Sequence, residues 1–216
     1  FPGQEKELEY EDIYDQFNEF NKYVEMIPKS IQIIICSGNH DPVRIAEPQP
    51  PIPKQFVEPI YNNENITWVS SPSVVNIENT EHFSGFDILL YHGFSFPYYG
   101  STIESLRMKG GIESVENIMT YLLKKRHLAP AHGSTQYHLG FNYDPLIIKE
   151  APDFFVTGHI HKSAIKTYRG VTLLNCSCWI SQTDYQEKRG ITPDPGRVFY
   201  VNLKNRETKI INFYEK

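Results

Sequence analysis

The chain of 216 residues predicts an α/β layered fold, on three observations. Two amphipathic helical stripes are separated by short apolar strands. Those strands are bounded by glycine, proline and polar turns. Three of them run directly into a turn that carries histidine. Short buried strands alternating with helices build layers around a shared core.

The elements follow in order. Ile13, Phe17, Phe20, Val24 and Ile27 recur at helical spacing, which predicts a helix from about Tyr10 to Ile27, ended by Pro28. Ile31 to Cys36 is a β-branched run that reads as a buried strand, stopping at Ser37-Gly-Asn-His-Asp-Pro42. Asp41-Pro42 has the chemistry of a helix start, because aspartate caps well and proline suits the first helical position. The proline-rich stretch from Ala46 to Pro59 reads as a rigid loop. Short strands are expected near Ile66–Val69 and Val74–Ile77, then Phe86–Tyr91 ending at His92-Gly93. A second amphipathic helix is expected over Ile112–Arg126. Phe154–Thr157 is a further apolar strand, ending at Gly158-His-Ile-His161. From Ala164 to Phe213 the pattern reads as all-β, with strands at Ala164–Arg169, Val171–Leu174, Arg197–Leu203 and Thr208–Phe213.

Composition narrows the function. The chain is 40% hydrophobic and 22% charged, with no run near the ~20 apolar residues a membrane helix needs. Phe1-Pro-Gly-Gln-Glu-Lys lacks the pattern of a signal peptide. Three cysteines make no disulfide framework and fit a reducing, cytoplasmic interior. A net charge of -5 argues against a broad basic face for duplex DNA, so nucleic-acid contact is expected to be local.

The chemistry gathers at three strand ends. Ligands of open α/β sheets sit beyond the carboxyl ends of strands. Adjacent strands ending in Gly38-Asn39-His40-Asp41, His92-Gly93 and Gly158-His159-Ile-His161 would aim imidazole and amide ligands at one spot. That donor set suits Mn, Fe or Zn better than Mg or Ca. No serine or thiol nucleophile stands beside a histidine in the sequence, which points to metal-activated water.

Gly-Asn-His-Asp, a strand-end His-Gly and Gly-His-x-His, in that order, resemble the later motifs of the calcineurin-like metallophosphoesterases. Pro2-Gly-Gln-Glu, Gly38 through Pro50, Arg126-His-Leu-Ala-Pro130 and Thr157-Gly-His-Ile-His161 narrow the match, resembling the small, exonuclease subunit of archaeal family D DNA polymerases. The resemblance implies a two-sheet β-sandwich flanked by helices in four layers (α/β/β/α). It implies that Asn39, His92 and His159 hold one metal and His161 the other. His40 would face the scissile phosphate as the catalytic histidine. The cofactors implied are two divalent ions, Mn first, with Fe, Zn or Mg as alternatives. The partners implied are DNA 3′ ends, single-stranded or mispaired, and a large catalytic polymerase subunit, with no membrane. The activity implied is 3′-to-5′ exonucleolytic proofreading.

The family's earlier Asp-x-His and Gly-Asp motifs are not found in the sequence. The expectation is therefore a single nuclease domain over residues 1–216 that lacks its first strand and first two metal motifs. Alone it would bind the metal pair poorly and be inactive. The rival readings are a non-catalytic scaffold subunit and a general metallophosphoesterase.

Other residues carry weaker readings. Arg44, Lys162 and Arg189 are candidates for phosphate contact. His132 is a substrate contact or, preferably, part of a turn. His127 suits the basic end of a helix. Cys176-Ser-Cys178 lacks the second pair a structural zinc site needs, so strand alternation explains it better. Trp179, Tyr98, Tyr99, Tyr137 and Tyr185 would stack on bases or, more commonly, serve the core.

Overall fold

The computed structural model describes residues 6, 8–188 and 190–214. The chain divides into two compact units. One holds residues up to Ile45 together with Gln49–Ser71, and the other holds Ala46–Pro48 with Pro72 onward.

In the first unit, helix α1 spans Ile13–Glu25 and is capped by the Asp12 carboxylate, which accepts from the Tyr14 N–H at 2.7 Å. Its apolar stripe buries Phe17 and Val24. Phe17 meets the Phe56 ring at 5.5 Å between centroids. Strand β1 (Ile33–Cys36) pairs in parallel with β2 (Ile66–Val69), Ile33 opposite Ile66 and Cys36 opposite Val69. Between them the proline-rich stretch carries a single 3₁₀ turn at Lys54–Phe56 and a short helix, α2 (Glu58–Tyr61). Part of the expected rigid loop is therefore helical. Pro59 permits this because proline in a first helical turn removes only an N–H that has no intrahelical partner. Val57, Ile60, Phe56, Ile52 and Ile66 complete this core.

The second unit is built on a five-stranded sheet of order β3-β4-β5-β7-β6, with β3 at Ser73–Ile77, β4 at Phe86–Tyr91, β5 at Phe154–Thr157, β6 at Ser163–Tyr168 and β7 at Val171–Cys176. β4, β5 and β7 run parallel, and β3 and β6 are the antiparallel edges. Helices α3 (Phe96–Thr102), α4 (Glu104–Arg107) and α5 (Val115–Lys125) follow β4. α5 buries Val115, Ile118, Met119, Leu122 and Leu123 in the core that also takes Leu89, Phe96, Phe155 and Leu173. A short helix α6 (Asp184–Lys188) precedes the hairpin of β8 (Arg197–Val201) and β9 (Thr208–Asn212).

The α/β class is as expected, but the two-sheet sandwich is not. The described strands form three separate ladders, of two, five and two strands. The prolines between β1 and β2 have no N–H to donate to a ladder. That stretch accordingly adds two isolated bridges, Glu47 to Tyr137 and Gln49 to Ser71, and no further strand. β1 thus lies in a different ladder from β4 and β5, and the three motif-bearing strands are not neighbours in one sheet. The tail is not all-β either, because Thr183 begins α6 with a capping box described below.

Among the described residues no helix is long and apolar enough to cross a membrane.

Candidate metal centre

The Gly38–Asp41 turn lies in the first unit. No helix begins at Asp41. Its carboxylate reaches backwards to accept from the Gly38 N–H at 2.6 Å, so it does not serve the amides ahead of it. The Asp41 N–H returns to the Gly38 carbonyl at 3.3 Å, and the Val43 N–H to the Asp41 carbonyl at 2.7 Å. Buried Gln49 braces the turn from outside, its amide donating to the Gly38 and Arg44 carbonyls at 3.1 and 3.3 Å. Desolvation holds the Asp41 pKa above its ordinary value, with the Gly38 N–H pulling the other way. Asn39 is half-buried, whereas His40 and Arg44 are exposed. What shielding the His40 ring has, chiefly desolvation, holds its pKa below the ordinary value.

The histidines of the second unit form a group of their own. β4 and β5 are in register with Tyr91 opposite Thr157. His92 and Gly158 therefore leave the sheet at the same level, and the Gly158 N–H donates to the His92 carbonyl at 3.1 Å. This close approach needs glycine. Gly93 has φ +103°, and a Cβ there would stand 3.2 Å from the Gly158 carbonyl and from the Phe96 ring. Beyond Thr157 the chain bends and is no longer a strand, with Ile160 and Lys162 N–H groups closing two tight turns onto the Gly158 and Ile160 carbonyls. His159 has φ +62°, a left-handed conformation that non-glycine residues adopt at a cost and that clusters at functional sites. His159 and His161 therefore sit on this bend and not on a strand.

That bend brings His159 Nδ1 to 3.1 Å from His92 Nε2. The spacing fits a shared divalent cation. Two imidazole nitrogens each about 2.0–2.1 Å from one ion, at roughly a right angle, stand about 3 Å apart. Phe94 packs edge-on against the His159 ring, at 5.5 Å between centroids. His161 is held differently: Gln186 Nε2 lies 2.7 Å from His161 Nδ1. Gln186 is itself fixed by a capping box. Its N–H donates to Thr183 Oγ1 at 3.3 Å and its Oε1 accepts from the Thr183 N–H at 3.1 Å. Among the described residues no three His, Cys, Asp or Glu side chains gather closely enough to hold a metal.

The remaining expectations sort as follows. Lys162 makes an ion pair with Glu113 at 2.8 Å. His132 is exposed in the turn that the Ser134 N–H closes onto the Ala131 carbonyl. His127 is tied to Asp144 at 2.8 Å and accepts from the Ala129 N–H at 2.9 Å, a loop anchor in place of the expected helix-end charge. Cys36, Cys176 and Cys178 form no disulfide, and strand alternation does not link the last two, because β7 ends at Cys176 and Ser177 turns with φ +57°. Tyr99 is core, its hydroxyl donating to Ser134 Oγ and accepting from the Ala131 N–H. Trp179 is exposed beside Phe213. Arg189 and the Tyr185 side chain lie outside the described residues.

Sequence reasoning missed a buried carboxyl beneath His92. Glu47 is fully buried and accepts from the Tyr91 hydroxyl at 3.0 Å, while that hydroxyl accepts from the Ser95 N–H. Desolvation pushes the Glu47 pKa up to about 7, against the pull of its polar neighbours, the Tyr91 hydroxyl among them. It also missed Gln186, although Thr183-x-x-Gln186 is a readable capping signature.

Comparison with known proteins identifies the family. The family of DNA polymerase alpha/epsilon B subunits matches residues 4–166. The DNA polymerase II small subunit of Methanothermobacter thermautotrophicus is 39% identical over 94% of this chain and 40% of its own length. The same protein of Methanocaldococcus jannaschii is 39% identical over 94% of this chain and 32% of its own. That of Pyrococcus furiosus is 34% identical over 99% and 33%. The chain therefore spans well under half the length of these relatives. The resemblance to archaeal polymerase small subunits is met, and the chain belongs to the family of DNA polymerase alpha/epsilon B subunits.

Proposed function

We propose that this chain works as part of the small subunit of an archaeal DNA polymerase. By itself it is a non-catalytic component that accompanies a large polymerase subunit. Within the whole small subunit its histidines contribute to a metal-dependent 3′-to-5′ exonuclease. The first half of the reading is supported by the relatives and by the absence, among the described residues, of any group of three acidic, His or Cys side chains fit for a metal. The second is carried by one observation, the His92–His159 nitrogen pair at 3.1 Å.

Imidazole and amide donors mixed with carboxylates would suit Mn, Fe or Zn better than Mg or Ca. When bound, two divalent ions would supply an activated water and hold the phosphate oxygens. His92 Nε2 and His159 Nδ1, 3.1 Å apart, are proposed as two ligands of the first ion. His161 is proposed as a ligand of the second ion and Asn39 as a further ligand of the first. His40 is proposed to face the scissile phosphate. With its pKa held below the ordinary value, it is neutral near pH 7 and contributes a hydrogen bond in place of a standing charge. Arg44, Lys162 and His132 remain candidates for substrate contact.

The test uses the full-length small subunit with Mn²⁺ and a 3′-mismatched primer. Wild-type degradation that falls about 10²–10⁴-fold in His40→Ala, the usual range for a lost acid–base group, supports the exonuclease. No degradation by the wild type leaves the non-catalytic reading. Cleavage confined to simple mononucleotide esters identifies a general metallophosphoesterase.

A further inference from the structure

The connection Gly158–Lys162 leaves the end of β5 and enters β6, yet β7 lies between those two strands. The histidine-bearing bend must therefore arch over the carboxyl end of β7. Asn175 stands at the foot of that arch, opposite Thr157 on one side and Ala164 on the other, and is fully buried. Its amide is used completely. Nδ2 donates to the Ile160 carbonyl at 2.8 Å and also to the Lys162 carbonyl, the two carbonyls on either side of His161. Oδ1 accepts from the Thr157 hydroxyl at 2.8 Å. The His161 carbonyl in turn accepts from the Asp194 N–H at 2.8 Å.

We propose that Asn175 is a positioning residue that sets the geometry of the His159–His161 bend, and through it the affinity for a divalent cation. The inference rests on the reading of these histidines as ligands. Only a neutral side chain with two N–H donors and one acceptor satisfies this pocket. A carboxylate would turn an oxygen toward two carbonyl oxygens. An apolar group would leave both carbonyls and the Thr157 hydroxyl without these partners. His159 is held at positive φ, so the bend has a strained conformation to relax from when the strap is cut. Groups that orient metal ligands typically change affinity 10- to 100-fold when altered.

The experiment titrates Mn²⁺ into the full-length small subunit with detection of free Mn²⁺, alongside thermal unfolding. Asn175→Asp is expected to weaken binding by about 10- to 100-fold. Thr157→Val, which removes only the hydroxyl that orients the amide, is expected to weaken it less, about threefold to tenfold, with an unfolding midpoint close to wild type. Should Asn175→Asp fail to fold, Thr157→Val decides. Wild-type affinity in folded variants overturns the positioning role alone. No Mn²⁺ binding by the wild type overturns the ligand reading and this role with it.

Discussion

The Gly38–Asp41 turn and the Gly158–His161 bend look alike as sequence, each a glycine followed closely by histidine. They are held in different ways. The first is braced within a dozen residues, by its own Asp41 and by Gln49. The second is braced from afar, by Asn175 on a neighbouring strand, by Gln186 on α6 and by the register of β4 with β5. A locally braced turn can be read and altered by local substitutions. A remotely braced one carries its geometry in residues that no motif marks.

The largest expected effect tests a support distant in sequence from the strand it serves. Glu47 lies under the strand that presents His92, and its folded pKa of about 7 stands above the ordinary 4.5. Folding therefore takes up a proton. The stabilisation is complete below about pH 4.5 and is lost as pH rises through 7, amounting to about 3 kcal/mol. Glu47→Gln keeps an acceptor for the Tyr91 hydroxyl without the charge. Urea unfolding at pH 5 and pH 8 should show the wild type losing about 2–3 kcal/mol more than the variant across that window. Equal losses would remove Glu47 from the account.

A paired comparison gives the next effect. Gly93→Ala forces an L-residue to φ +103° with its Cβ 3.2 Å from the Gly158 carbonyl, and should cost about 1–3 kcal/mol. Asp41→Ala removes one hydrogen bond to the Gly38 N–H and should cost about 1–2 kcal/mol. Denaturant titration measures both. A larger loss for Asp41→Ala would reverse the contrast between local and remote bracing.

The smallest effect concerns Gln186. Its Oε1 is taken by the Thr183 N–H, so its Nε2 donates to His161 Nδ1. A ring that coordinates an ion through Nε2 carries its proton on Nδ1 and wants an acceptor there. Gln186→Glu supplies one and suits the capping box equally. Mn²⁺ affinity should rise by a few-fold. A fall would show that His161 does not use Nε2.

Much of the fold was legible. Strand ends at Cys36, Tyr91 and Thr157 fell where β-branched and aromatic runs met glycine or histidine. α3 was not read, because Pro97 and Gly100 look like turn residues in Phe96-Pro-Tyr-Tyr-Gly100. Pro97 falls in the first turn of that helix, where proline is tolerated, and Gly100 leaves room for Ile112, whose Cγ2 would lie 2.7 Å from a Cβ there. The division into three ladders was hidden for another reason. Strand identity is a local property, whereas pairing depends on which partners the chain returns to. At the site, the ligand-type residues were legible as motifs. Their supports, Asn175 and Glu47, were not, because a buried amide or carboxyl leaves no periodic trace.

The two-stranded ladder of β1 and β2 has a bearing on handling the protein. Each strand is hydrogen-bonded along one side only by the other, and among the described residues neither joins a further strand. A two-stranded ladder is too small to stand alone, and Ile33, Ile35, Ile66 and Trp68 lean on the core of Phe56, Val57 and Ile60. Conditions that loosen that core, mild denaturant first among them, are therefore expected to melt this ladder and are best avoided in handling.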